Sequence, residues 1–221
     1  MSEKPILFDG ESVRSLLTCA KCGTVSVPFP CEHCGSTEFR KTQTRRLCNP
    51  QPPEGAGAWH LSQGVYRDTM TAPGLRWKPR YREGELGWVR EGLGTNYNET
   101  AVDVGLASYV LDGELVEPYL TWRWKRGRLP GMFMPKATAR FWVRFGPNRP
   151  PEQVQEISLG DVCAEGIWRL DWAWCCPDTT GDWNWKTAFR DRWNGIHGPD
   201  AWDKNRWVWP YQFERCEAVT K

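Results

Sequence analysis

Residues 19–35 carry two Cys-x-x-Cys pairs, Cys19/Cys22 and Cys31/Cys34, and each pair is followed by glycine. No other feature constrains the chain as much. Four thiolates at this spacing close a tetrahedron around one Zn2+, and a tetrahedron with no open position is a structural site rather than a catalytic one. A glycine after the second cysteine of a pair admits the positive φ that a knuckle turn needs. His33 lies inside the second pair and could replace one thiolate, but four cysteines make the simpler set. A segment this short buries no core of its own, so metal would supply its folding energy. The expectation is a zinc knuckle at 19–35 inserted into a single domain spanning 1–221.

The remaining cysteines, Cys48, Cys163, Cys175, Cys176 and Cys216, lack that spacing and read as small core residues. There is no apolar run of membrane length and no signal-peptide pattern. The expected setting is therefore cytoplasmic, without a membrane partner, where thiols stay reduced or bind metal. Net charge is +2, from 29 basic and 27 acidic residues, so charge alone does not mark a nucleic-acid binder. The chain has 15 tryptophans. Such a surplus points to an aromatic core, with a few rings left over for stacking on bases.

Hydrophobic patterning gives the coarse order. A strand is expected at 4–8 and a short helix at 10–18, with Val13, Leu16 and Leu17 at helical spacing. A Pro/Gly-rich loop covers 49–58. A turn and strand follow at 81–91, then a hairpin around Asp112-Gly113 and a strand ending near 145. Ser158 reads as the N-cap of a helical turn, with Asp161 three residues on. A helix at 186–194 and an aromatic-rich strand at 207–217 close the chain. Strands outnumber helices, giving an α+β, mainly β class, and the spacing suggests a small barrel with helices at its ends.

The densest polar cluster is Lys41-Thr42-Gln43-Thr44-Arg45-Arg46, on what should be the start of a strand. Strand alternation would put Lys41, Gln43 and Arg45 on one face and Thr42, Thr44 and Arg46 on the other. Lys41 and Thr44 would converge if the strand begins with a bend. A binding reading uses Arg45, Arg46, Arg90, Lys136 and Arg140 for phosphates and a tryptophan for a base. The plainer alternative is a solvated, charged strand edge, with Arg90 and Glu91 in ordinary salt bridges. His60 and His197 read as loop residues without partners. No carboxylate dyad, phosphate loop or nucleophile elbow appears.

Several segments, in order along nearly the whole chain, together resemble the ASCH family of the PUA-like superfamily, in its phage-encoded branch. They are Pro5-Ile6-Leu7-Phe8 with Val13-Arg14-Ser15-Leu16-Leu17, then Lys41 to Arg46, Gly87-Trp88-Val89-Arg90-Glu91, and Met134-Pro135-Lys136-Ala137-Thr138-Ala139-Arg140. Ile157-Ser158 through Ala164-Glu165-Gly166-Ile167 follows, and Phe189 to Asn194 with Trp207-Val208-Trp209 ends the series. In family members a short glycine turn joins the Leu-Leu helix to the Lys-Thr motif, and here the cysteine segment occupies that turn.

The resemblance implies a PUA-like small β-barrel with flanking helices and a basic cleft. Its partner would be RNA, DNA or a modified nucleoside, in the host cytoplasm if the protein is phage-encoded. Some similar bacterial members are amidohydrolases that remove the acetyl group of N4-acetylcytidine with a lysine, a threonine three residues later and a glutamate from a later helix. Carried over, these are Lys41, Thr44 and Glu165, with Thr42, Arg45, Arg46, Arg90, Glu91 and Lys136 as binding residues. Chemically, Thr44 offers a hydroxyl nucleophile and Lys41, if desolvated, a base. Glu165 could polarise Lys41 or carry a proton to the leaving amine. Recognition of nucleic acid or a modified base is the broader expectation, and hydrolysis of an acylated cytosine is the alternative.

Overall fold

A computed structural model describes residues 3–8, 10–21, 32, 34–57, 59–62, 65–68, 76–95, 105–117, 119–167 and 185–216. Along the chain the strands are β1 (Glu3–Leu7), β2 (Gln43–Leu47), β3 (Trp59–Ser62), β4 (Val65–Asp68), β5 (Leu86–Arg90) and β6 (Leu93–Thr95). They continue with β7 (Ala107–Tyr109), β8 (Arg128–Leu129), β9 (Trp142–Phe145), β10 (Glu152–Gln153) and β11 (Trp207–Cys216). The helices are α1 (Gly10–Leu17), α2 (Leu159–Ala164) and α3 (Trp185–His197), with three short 3-10 turns. The fold is thus mainly β with few helices. Among the described residues the sheets are open, and none closes into the barrel that strand spacing suggested. No helix among them is long and apolar enough to cross a membrane.

The chain forms two compact units and passes between them three times before its end returns to the first. The first unit comprises Met1–Phe39, Glu85–Arg144 and Arg215–Lys221. In it β1 lies parallel to β5, with Ile6 opposite Val89, and β5 lies antiparallel to β9. Helix α1 buries Val13, Leu16 and Leu17, the three positions its spacing singled out. A smaller sheet pairs β6 with β7 and β8 over a core of Leu93, Ala107, Tyr109, Val116, Leu129 and Met134. The expected Asp112-Gly113 turn is present, with Gly113 at φ 75° and Tyr109 N–H donating to the Glu114 carbonyl at 2.8 Å.

The second unit comprises Arg40–Gly84 and Phe145–Glu214. Here β11 is flanked by β2 and β10, both antiparallel to it. One face of β11 carries Tyr211 and Phe213 into an aromatic core, where Tyr81 stacks on Phe145 at 4.2 Å and edges onto Tyr211 at 5.1 Å. A second core gathers Val154, Ile157, Val162, Phe189, Trp193 and Val208 around α2 and α3. Burying several aromatic and branched side chains at once is what makes these short elements stable, because each gains roughly 1.5–3 kcal/mol from leaving water. Tryptophans serve this purpose: Trp77, Trp193, Trp207 and Trp209 are all buried in this unit. His60 lies in β3 and His197 ends α3, its ring tilted against Trp193 at 4.0 Å, so neither is a loop residue.

Candidate functional site

Two local signals bring the lysine motif to Glu165. Ser158 caps α2 by accepting from the Asp161 N–H, as its sequence position predicts. Gly166, at φ 87°, ends that helix in the left-handed conformation that glycine adopts without strain. The chain leaving α2 then pairs with the chain entering β2. Thr42 N–H donates to the Ala164 carbonyl at 2.9 Å, and Lys41 bridges Glu165 across the backbone. Phe213 N–H in turn donates to the Thr42 carbonyl at 2.9 Å, which fixes the strand start against β11.

Lys41 Nζ donates to Glu165 Oε2 at 2.9 Å and to the Glu165 carbonyl at 2.9 Å. Arg45 reaches three carboxylates: Glu165 Oε1 at 3.2 Å, Glu152 Oε1 at 2.7 Å and Asp161 Oδ2 at 3.1 Å. Arg149 joins from outside, at 2.7 Å from Asp161 and 3.1 Å from Glu152. Three cations thus face three carboxylates. The Lys41 and Arg45 side chains are 2% and 1% exposed. Charges so dry are tolerated only when paired and hydrogen-bonded.

Burial pulls the Lys41 ammonium below its ordinary range, and it outweighs the opposing charge and hydrogen bond of Glu165; the charges of Arg192 and Arg46 push the same way as burial. Burial would raise the Asp161 carboxyl, but hydrogen bonds from Arg149 and the charges of Arg45 and Arg149 hold it down to about 2. The cluster therefore keeps Asp161 ionised while weakening the hold of its one lysine on a proton.

The structure brings Lys41, Arg45 and Glu165 together, and it buries the motif rather than solvating it as a charged edge. Thr44 sits elsewhere on the strand. It pairs with Tyr211 in the ladder, and alternation puts it on the face opposite Gln43 and Arg45. Thr42 is exposed and Arg46 is half-buried. Arg90, Glu91 and Lys136 belong to the other unit, and each is engaged within it. Arg90 lies over the Trp88 ring at 4.6 Å and donates to the Met132 carbonyl. Glu91 takes two hydrogen bonds from Arg140, both at 2.8 Å, which matches the plain salt-bridge reading. Lys136 pairs with Glu3 and lies over Trp142. A cleft of about 680 Å³ opens in that unit between Phe8, Val13, Arg14, Glu91, Gly92, Val110 and Leu111.

Sequence reasoning missed Glu152, Asp161 as a ligand of arginine, Arg149 and Gln43. Glu152 and Arg149 come from a Pro-rich stretch with no motif. Gln43 had a signal, since it alternates between Lys41 and Arg45, but it was read only as part of a strand.

Of the four expected zinc ligands, Cys22 and Cys31 lie outside the described residues, as do His33, Cys175 and Cys176. Cys19 and Cys34 are brought together, Sγ to Sγ 3.6 Å, with Cys19 fully buried against Phe39. Two thiolates on one zinc, at bonds of about 2.3 Å and tetrahedral angles, stand about 3.8 Å apart. The described pair fits that edge. Among the described residues no group of three or more His, Cys, Asp or Glu could hold a metal.

The chain matches no known family model, no curated protein and no solved structure.

Proposed function

We propose that this protein is an ASCH-like, PUA-like domain that recognises a modified nucleobase, presented in nucleic acid or as a nucleoside, at the Lys41–Arg45–Glu165 cluster. The observation that carries the proposal is the pairing of Lys41 with Glu165 at 2.9 Å. These residues stand 124 positions apart, and the resemblance singled out both for one site. A phosphate-dominated binder fits less well, because Arg45 is spent on carboxylates and the cluster is charge-balanced. Base-edge hydrogen bonding in a dry site suits such a cluster better.

Hydrolysis of an acyl group on the exocyclic amine of cytosine is the second reading, and the lowered proton affinity of Lys41 favours it. A neutral Lys41 would take the proton of the attacking hydroxyl, from Thr44 or from water. The attacking oxygen would bond to the acyl carbon, the carbon–nitrogen bond would break, and the proton would pass by way of Glu165 to the departing amine. Attack by water frees the carboxylate directly, whereas attack by Thr44 leaves an acyl ester that a water molecule then hydrolyses. Because Thr44 occupies the far face of β2, Thr44→Val separates the two nucleophiles: lost turnover assigns the hydroxyl, retained turnover assigns water.

The test is release of cytidine from N4-acetylcytidine, and of deoxycytidine from its deoxy form, followed by chromatography. Lys41→Met is the control, chosen to fill the same space, with circular dichroism to confirm folding. Release that disappears in the variant supports hydrolysis. No release, with binding of the nucleosides retained, leaves a reader. Neither binding nor release would sink both readings.

We also propose one structural Zn2+ on Cys19, Cys22, Cys31 and Cys34. Those thiolates would hold the chain between α1 and Phe39, and the metal would lend only cross-linking. Native mass spectrometry should find one zinc per chain, absent in Cys34→Ser; a metal-free wild type would refute the assignment.

A further inference from the structure

Gln43 is the residue on which the observations converge. It is 2% exposed, and among the described residues its Nε2 amide donates to no acceptor. A buried amide without a partner destabilises the fold by its unrecovered desolvation, which a leucine or methionine of similar volume would avoid. Other buried polar atoms here also lack hydrogen-bond partners: the indole nitrogens of Trp59, Trp77 and Trp193, single guanidinium nitrogens of several arginines, and the Thr95 hydroxyl. The indoles belong to rings whose apolar faces fill the core, so the N–H comes with the ring, and a guanidinium has further nitrogens to pair. An amide has no such excuse in a dry position.

Placement gives the amide a use. Gln43 shares its face of β2 with Arg45, whose guanidinium reaches Glu165, and it follows Lys41 by two residues. In the ladder it stands directly opposite Gln212 of β11. Directly opposed residues of an antiparallel pair project to the same side. Gln212 is exposed, so this side of the sheet meets solvent one strand away. An orphaned amide therefore sits on the same strand face as the charged cluster, across the ladder from an exposed Gln212.

We propose that Gln43 determines specificity by donating a hydrogen bond from its side-chain amide to ring nitrogen N3 of a cytosine-type base. The inference rests on the base-recognition reading above and adds which edge is read. An unprotonated ring nitrogen is a strong acceptor with no hydrogen of its own, and uracil, whose N3 carries a hydrogen, would be turned away. Sites built around a buried donor reject ligands that leave it unpaired.

The experiment compares N4-acetylcytidine with N4-acetyl-3-deazacytidine, which has C–H in place of N3. KM is measured, or Kd where no turnover occurs, for wild type and Gln43→Leu. Wild type should prefer the natural nucleoside by about 10-fold or more, in line with discrimination by a good base-edge contact. In Gln43→Leu the preference should fall to about one. A merely structural role would weaken both ligands equally and keep their ratio. Thermal unfolding supplies the second arm: the variant should melt at or up to about 4 °C above wild type, because an unsatisfied amide has been removed. Equal affinity of wild type for both nucleosides, a preserved ratio in Gln43→Leu, or a clear fall in Tm would each overturn the inference while leaving base recognition standing. Failure of wild type to bind either nucleoside would overturn base recognition and the inference with it.

Discussion

Arg45 and Arg140 pose the same problem, one in each unit, and solve it differently. Each guanidinium is held by three carboxylates: Glu152, Asp161 and Glu165 around Arg45, and Glu91, Asp112 and Glu114 around Arg140. Around Arg45 the acids are 9–14% exposed, and two further cations, Lys41 and Arg149, bring the charge to balance. Around Arg140 one cation faces three acids, but Asp112 and Glu114 are 31% and 54% exposed. Arg140 also lies close over ring faces, Tyr109 at 3.8 Å and Phe141 at 4.7 Å, whereas the Phe189 ring stands 6.0 Å from Arg45. A dry cluster must match its charges, whereas a wet one can leave the remainder to water. The Arg140 cluster reads as architecture. The Arg45 cluster contains a lysine whose ammonium burial pulls below its ordinary range, which is why the functional proposals attach to it.

Removing a carboxylate from the dry cluster should produce the largest effect. Glu165→Ala removes the carboxylate partner of a Lys41 side chain only 2% exposed, leaving it the backbone carbonyl of residue 165, and should cost about 3–5 kcal/mol in urea unfolding. Replacing both partners, Lys41→Met with Glu165→Leu, should recover much of that loss, because an apolar pair needs no charge match. A double variant no better than Glu165→Ala would show that the backbone pairing at 41 and 165 depends on the ion pair itself. Arg45→Lys comes next, at about 1–3 kcal/mol. It keeps the charge but loses the fork that spans three carboxylates.

Acid should separate the clusters by sign. Asp161 is held down to about 2, so its stabilisation is complete above the ordinary carboxylate range and fades as pH falls toward 2. Glu91 is pushed up, because burial outweighs its hydrogen bonds and charge pairing with Arg140, while Asp112 and Glu114 add to the rise. Its contribution is complete below about 4.5, the ordinary glutamate value, and is lost as pH rises through the raised folded value. Asp161→Asn should therefore flatten the loss of stability on acidification below pH 4. Glu91→Gln should flatten the opposite slope above pH 4.5. Urea midpoints across pH 2–7 read both, and slopes of the same sign would break the contrast.

Local patterns were legible in the sequence. Val13, Leu16 and Leu17 on one helical face, Ser158 as a cap, and Asp112-Gly113 as a turn all follow from the geometry of a few neighbouring residues. The pairing of Lys41 with Glu165 was reachable because a resemblance supplied the long-range partner; spacing alone contains no information across 124 residues. The open sheets and the division into two units were not legible, since strand count does not say where a sheet ends. Spacing also did not reveal the partners that Arg90, Glu91 and Lys136 have within their own unit, Met132, Arg140 and Glu3. Each is a surface-seeking side chain whose partner is set by tertiary packing. Gln43 escaped notice because an amide in a strand carries no motif, and its weight comes only from being buried without an acceptor.

The smallest effect belongs to the outermost carboxylate of the wet cluster. Glu114 is more than half exposed and shares Arg140 with two other acids. Glu114→Gln removes one attraction to the guanidinium and also two repulsions, from Glu91 and Asp112. Water already screens all three at that position. The terms nearly cancel, and Tm should move by no more than about 2 °C, the equivalent of about 0.5 kcal/mol for a chain of this size. The corresponding change in the dry cluster, Glu165→Gln, keeps the shape and removes the same charge, yet it should lower Tm several times as much because no water replaces the lost partner of Lys41. If the two variants melt together, exposure is not what separates the clusters, and the case for Lys41 as a specially poised group loses its physical basis.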